Sequence, residues 1–249
     1  MALYETPVYD LDELTRRNLH IHTSFSHCAK SEMTLQAIVE RAVAAGVEMI
    51  ALTDHYNFPE FDDCYLAQVR YLKSRAERLE RKPKILFSAE LSNYGIGKHL
   101  ETAETAAALD YRLYTCNHFH LDFWEHPAER TARGYAVFQM QAIRRLMEDG
   151  CADCIAHPLI GRFVKTMEAT AVTEAITDTE LGDLSELASK THTAWELNSG
   201  AVYGDPAFFR RLWHIGREVG AVFHFGTDAH MLDAVDSRSH AARLKEILE

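Results

Sequence analysis

The sequence has no apolar run near the ~20 residues that a membrane helix needs. Its opening, Met1 to Arg17, is polar and acidic, without the basic start and apolar stretch of a signal peptide. Both absences lead us to expect a soluble, cytoplasmic protein with no membrane partner. Positive charge is also short: 26 Lys and Arg stand against 37 Asp and Glu, a net charge of -11. A basic groove along nucleic acid is therefore not expected, since such grooves bind by neutralising phosphates, and no long nucleic acid is expected as a partner. A small nucleotide is still admissible, because bound metal ions would offset negative charge locally. Cysteine is sparse: five residues, an odd number without regular spacing, make no disulfide framework. Cys151 and Cys154 form a C-x-x-C that lacks the second pair of a four-cysteine zinc site and runs into Ile155-Ala156, so it reads as buried thiols. There is no repeat, no low-complexity segment and no glycine-rich phosphate loop after the first apolar segment, which weighs against an open nucleotide-binding sheet.

What is present is an alternation of short apolar runs and longer amphipathic segments. The runs that suit buried strands are 18–22, 48–54, 85–91, 111–118, 153–157, 194–198 and 221–228. Between them Thr34 can cap a helix with Leu35, Ile38, Val39, Ala42 and Val43 on one face, ended by Gly46. Further helices are predicted over 62–81, stopped by Pro83, and over 131–148, before Gly150. Asp205-Pro206 opens another, which Gly220 follows. Alternating strands and helices imply a mostly parallel sheet covered by helices. Seven strands in 249 residues, of which 47% are hydrophobic, are expected to close as one α/β barrel domain over 1–249.

The strand ends share a chemistry. In order they deliver His20-Ile-His22, Thr53-Asp-His55, Glu90, Asn117-His-Phe-His120, Ala156-His-Pro158, Glu196-Leu-Asn198 and Thr227-Asp-Ala-His230. In a parallel barrel these ends lie on one rim, where barrel enzymes keep their active sites. Residues two apart on a strand face the same way, so His20 and His22 can reach one ion, and Asp228 and His230 share that spacing. A set of His with Asp and Glu suits zinc, manganese or iron better than calcium or magnesium. A carboxylate such as Glu90 can bridge two ions; paired ions polarise a phosphoryl oxygen and supply a hydroxide nucleophile. A lone histidine after a strand is usually a surface or hydrogen-bonded residue, and His99, His126, His192, His214, His224 and His240 read that way. Asn198 can equally be a turn residue.

These stretches resemble the PHP superfamily, named for polymerase and histidinol phosphatase domains. The matching residues are Leu19-His-Ile-His-Thr23, Ile50-Ala-Leu-Thr-Asp-His55, Ala89-Glu-Leu91, Asn117-His-Phe119, Ile155-Ala-His-Pro158 and Gly226-Thr-Asp-Ala-His230, in the family's order along nearly the whole chain. The resemblance implies a distorted seven-stranded (β/α)7 barrel with two or three divalent ions. It implies that His20, His22, Glu90 and Asp228 hold the first, and that Glu90 bridges to a second completed by His118 and His157. A third would take His55, His230 and a residue just after the first strand. His27 and Cys28 both fall in that window; His27 is favoured because imidazole needs no thiol deprotonation, with a Cys28 thiolate as the alternative. His118 fits better than His120, which is kept as a second choice. Asp54 would orient a neighbour or assist proton transfer, so Asp54, Glu90 and Asp228 are the catalytic candidates.

The leading expectation is hydrolysis of a small phosphate ester. An arginine fork often holds phosphate, and Arg162 in Gly161-Arg-Phe163 is the best-placed candidate, with Lys98 and Lys165 behind it. Two alternatives share the cluster: cleavage of a non-phosphate bond such as an amide, and a nuclease acting on nucleotide ends. A third treats the chain as a metal-binding module without activity, which the full ligand set argues against.

Overall fold

The structure is a computed structural model and describes residues 6–249. From the N-terminal side the elements are α1 (Leu11–Leu14), β1 (Arg17–Ile21), α2 (Leu35–Ala45), β2 (Met49–Tyr56), α3 (Asp62–Ala76), β3 (Lys84–Gly95) and β4 (Lys98–His99). They continue with α4 (Ala103–Ala108), β5 (Tyr111–Thr115), α5 (Ala132–Glu148), β6 (Cys154–Ile155), α6 (Ala171–Glu174) and α7 (Asp178–Thr191). The last are β7 (Ala194–Asn198), α8 (Ser199–Gly204), α9 (Pro206–Glu218), β8 (Phe223–Gly226) and α10 (Ala241–Leu248). All seven expected strands form, and they run parallel in the order β1-β2-β3-β5-β6-β7-β8, with the short β4 turned back antiparallel on β3.

The sheet is nearly closed into a barrel. At the seam, β1 and β8 share no continuous ladder. They meet at a parallel bridge between Ile21 and Ala229, where His22 N–H donates to the Ala229 carbonyl at 2.9 Å and Ala229 N–H to the His20 carbonyl at 3.1 Å. The Asn18 side chain does the rest: its amide donates to Thr227 Oγ1 at 2.7 Å and its oxygen accepts the Thr227 N–H at 3.1 Å. Polar side chains here replace the hydrogen bonds that a full ladder would supply.

Helix ends follow the expected local chemistry. Thr34, Thr131 and Asp205 each cap a helix by accepting a backbone N–H, and Gly46, Gly150 and Gly220 take left-handed φ of 70°, 66° and 72° just beyond helix ends. The helix over 62–81 ends sooner than expected, at Ala76, and the chain turns before Pro83. The largest apolar cluster packs α5, α7, α9 and α10 against the sheet, with Trp195, Trp213, Phe208, Phe209, Phe223 and Phe225 at its heart. A smaller one seats α2 and the end of α3 on β1 and β2. This places the C-terminal strand ends together on one rim. No helix of the described residues is long and apolar enough to cross a membrane.

One buried polar pair predicts an acid sensitivity. His224 on β8 lies 3.0 Å from the Tyr111 hydroxyl, and burial holds its pKa down to about 3. Unfolded histidine titrates near about 6.5, so between those values the unfolded chain binds more protons. Stability present above pH ~6.5 is therefore lost as pH falls towards ~3, by about 1.4 kcal/mol for each unit of the window. His224→Gln keeps a hydrogen-bonding group for Tyr111 without a titrating ring. Its urea midpoint should fall less steeply from pH 7 to pH 4 than that of the wild type; equal slopes would clear His224 of the effect.

Candidate metal centre

The rim gathers six histidines and Asp228 around Glu90. His20 and His22, on and just after β1, face the same way, as two-residue spacing dictates, and their Nε2 atoms stand 3.1 Å apart. Asp228 Oδ1 lies 3.0 Å from His22 Nε2 and 3.3 Å from His20 Nε2. Glu90, buried on β3, divides its oxygens between two sets of imidazoles. Oε2 faces His55 Nδ1 at 2.8 Å, His20 Nε2 at 3.6 Å and His22 Nε2 at 3.7 Å. Oε1 faces His157 Nε2 at 3.0 Å and His118 Nε2 at 3.4 Å. Further out, His230 stacks on His22 with ring centroids 4.3 Å apart. Three overlapping triads have the spacing to hold ions: His20, His22 and Glu90; His55, Glu90 and His118; and His22, His55 and His230.

The donor set fits metal on its own geometry. Two imidazole nitrogens at 3.1 Å repel unless a cation or a shared proton lies between them. His55 Nδ1 and Glu90 Oε2 sit at 2.8 Å, yet both are buried without the angles of a hydrogen bond. Groups that converge without bonding each other are what a common ion would require. The outer nitrogens are already spoken for: His20 Nδ1 bonds Glu196 Oε1 at 2.7 Å, His22 Nδ1 bonds Ser26 Oγ at 3.2 Å, and His230 Nδ1 bonds the Asp228 carbonyl at 2.7 Å. Each of those three rings thus keeps its Nε2 for the centre.

Charge in the metal-free cluster is balanced by protons. Burial would raise the Glu90 carboxyl, but the neighbouring His118 and His55, with hydrogen bonds from His157 and His20, hold it well below its ordinary range. Asp228 is likewise held down against burial by His20 and His22. Burial pulls His20 and His55 down, yet Glu196 and Asp228 lift His20 well above normal and Glu90 lifts His55 to about 10. His22 and His118 are depressed by burial, His22 to about 3 with the His55 charge assisting. Protonated His20 and His55 thus stand where cations would otherwise neutralise the carboxylates.

The backbone bends to make this. His157 and Asp228 have φ of 27° and 54°, a region that side chains other than glycine rarely adopt, at a cost of roughly 1–3 kcal/mol each. Glu196, buried on β7, was legible only as a strand-end residue, yet it fixes two elements of the site. Oε1 orients His20, and Oε2 accepts the His157 N–H at 2.6 Å. Its signal was a carboxylate inside the apolar run Trp195-Glu-Leu197. Gly226 makes room for it: a Cβ there would lie 2.3 Å from Glu196 Oε1 and 2.6 Å from His20 Cβ.

A PHP domain model matches residues 18–158, more than half of the chain. The chain belongs to the PHP domain family. The match spans His20 to His157 and leaves Asp228 and His230 beyond it, so the structure is what brings those two to the family's part of the rim. Among curated proteins the chain is similar to the DNA polymerase/3'-5' exonuclease PolX of Bacillus subtilis (strain 168), 27% identical over 227 residues. The alignment covers 88% of this chain but only 35% of that relative, so the chain spans about a third of its length. Among solved structures it is similar to an uncharacterized protein, with TM-score 0.47 and 10% identity over 93% of this chain and 69% of the other. A D-psicose 3-epimerase determined with D-fructose gives TM-score 0.44 and 13% identity over 93% and 99%.

The structure puts the remaining sequence candidates of this PHP chain in different surroundings. His27 and Cys28 are both exposed and neither belongs to the triads, but only Cys28 meets one of their members, with Sγ 3.1 Å from His230 Nε2. Burial raises that thiol, but bonding to His230 and His55 lowers it to about 6, so a thiolate is available at neutral pH. Asp54 does not join the cluster. Its recorded hydrogen bonds come from Thr23 N–H and Oγ1, Ser26 Oγ and Gln68, at 2.6–2.8 Å, so it pins the loop after β1 and through Ser26 orients His22. A proton-transfer role has no geometric support there. His118 is buried against Glu90 while His120 is exposed, packed on Phe163. Asn198 caps α8 by accepting the Ala201 N–H, the turn role. Lys98 is tied to Glu125 at the surface. Arg162 is exposed over the ring of Phe163, which packs edge-on against His118 with centroids 4.9 Å apart. Cys28→Ser should weaken binding of one ion by at least ~10-fold, as loss of a ligand-sphere group does, and His27→Ala should not; calorimetric zinc titration separates them, and the reverse order would restore His27.

Proposed function

We propose that this chain is a metal-dependent phosphoesterase that hydrolyses a small phosphate ester, acting as one domain over residues 1–249. Glu90 carries the reading: one buried carboxylate offers separate oxygens to two sets of imidazoles, the arrangement a bridged pair of ions would use. His20, His22, Glu90 and Asp228 would hold one ion, with His118 and His157 completing a second around Glu90. His55, His230 and Cys28 would take a third. Zinc, manganese and iron suit such ligands. When bound, these ions polarise a phosphoryl oxygen and lower the pKa of water. The protein's own part is orientation: Glu196 and Ser26 fix the first histidine pair, and Asp54 fixes the loop that carries Ser26 and Cys28. Arg162, over the Phe163 ring that packs on His118, would meet phosphate oxygens, as a guanidinium does well.

Removal of a nucleotide from a chain end is the second reading, favoured by the likeness to a relative named as a 3'-5' exonuclease. Metal content by elemental analysis, paired with turnover of an aryl phosphate and an aryl amide with and without manganese or zinc, tests the proposal. Two to three ions per chain and metal-dependent cleavage of the phosphate alone are expected. Amide cleavage that survives Arg162→Ala, without phosphate cleavage, would replace the phosphoesterase with an amidohydrolase.

A further inference from the structure

Beside the cluster lies a cleft of about 710 Å³ that His55 itself helps to line. That size is typical of a small-molecule site, roughly 300–1,000 Å³. Its walls are aromatic. Phe25 stands edge-on to Tyr71 with centroids 6.1 Å apart, and Phe58 to Phe61 at 6.3 Å. All four are more than half exposed, at 51–58%. Phe25 comes from the loop after β1, Phe58 and Phe61 from the turn after β2, and Tyr71 from α3, so separate elements bring them together. Large exposed rings cost free energy in water, and a cluster of them marks a binding surface. The lining also includes Asn57, Cys64, Ala67 and Gln68, but no Lys, Arg, Asp or Glu.

We infer that this cleft binds a planar aromatic ring carried by the ester group of the substrate, next to the phosphate. The inference rests on the phosphoesterase reading for where the phosphate lies, through His55, which belongs to both cluster and cleft. Apart from His55, which faces the Glu90 carboxylate, the wall offers no cationic side chain to a second phosphate or a carboxylate. A polyol or sugar would leave most of the four exposed rings without a flat partner. Flat rings stack on Phe and Tyr whatever their substituents, so a nucleobase and a simple aryl group share the required chemistry.

The test uses uncharged probes and metal-free protein, so it does not depend on turnover. Binding of adenosine, benzyl alcohol and ribose is followed by ligand-observed NMR. Adenosine or benzyl alcohol should bind at least ~10-fold more tightly than ribose, within the range that stacking on an aromatic side chain supplies. That advantage should vanish in the Phe58→Ala/Phe61→Ala double variant and in Phe25→Ala, from the loop after β1, while thermal melting stays close to wild type. Adenosine tighter than benzyl alcohol assigns a nucleobase; equal or reversed affinities assign a simple aryl ester. Ring probes that bind no better than ribose, or that bind the variants as well as wild type, overturn the inference. If the loaded protein cleaves no phosphate ester but adenosine still needs Phe25 and Phe58, the reaction reading fails and the ring site stands. If it cleaves glycerol phosphate as well as phenyl phosphate and no ring binds, the ring site fails alone.

Discussion

Glu90→Gln should cut turnover of a phosphate ester by about three orders of magnitude, since a bridging carboxylate underwrites several kcal/mol of metal-derived charge stabilisation and each ~1.4 kcal/mol is tenfold. The substitution keeps the shape of the side chain and removes its charge. One set of imidazoles would meet an amide nitrogen in place of its oxygen and both would lose the negative charge between them, so elemental analysis should find fewer ions per chain as well as a lower kcat. The metal-free variant should also respond differently to pH. His55 is lifted to about 10 in the wild type by the Glu90 charge, against burial. A histidine raised in the fold contributes stability that is fully present below about pH 6.5 and lost as pH rises through 10. In the glutamine variant that contribution should shrink to what Cys28 supplies, leaving the metal-free melting curve flatter between pH 7 and 10. Wild-type metal content with wild-type turnover in Glu90→Gln would remove the bridge from the site.

Metal removal should lower the melting temperature by roughly 8–16 °C. A ligand held at about a thousand times its dissociation constant stabilises by ~4 kcal/mol, and each kcal/mol moves a domain of this size by about 2–4 °C. The location of the cluster makes the effect global. His20 and His22 come with β1, and Asp228 and His230 follow β8, so ions would tie the two edges of the barrel where a bridge and the Asn18–Thr227 hydrogen bonds now do the work. Scanning calorimetry with EDTA, then with zinc or manganese restored, reads the shift. A melting temperature indifferent to chelation and to every reloading condition would mean that the rim holds no ion.

Much of this was legible in the residues, because a strand buried on both faces is a short apolar run and a rim residue is whatever polar group ends it. The boundaries were less so. The fourth, fifth and seventh strands are expected to reach His118, His157 and Asp228, but they stop at Thr115, Ile155 and Gly226. Those side chains must turn into the barrel mouth, and His157 and Asp228 leave the extended region to do it. The third strand runs on to Gly95 because the hairpin with β4 gives it a further partner. Helix α7 carries its own signal, a capping box in which Thr177 and Glu180 bond each other's backbone, yet a four-residue motif is easily passed over in a polar stretch. The choice between His27 and Cys28 had no periodic pattern to decide it, since both lie on an irregular loop whose path depends on Asp54, more than twenty residues further on.

The seam also bears on how the chain is made. Asp228 is 206 residues beyond His22, its partner across the barrel mouth. During synthesis β1 can pair with β2 and β2 with β3 early, but His20 and His22 must wait for Asp228 to leave the ribosome. Until then that triad's donors are exposed without their last carboxylate, open to whatever soft metal the surroundings offer. A site completed only at that step would take its final ion from the surroundings of the closed barrel, not from those of the growing chain.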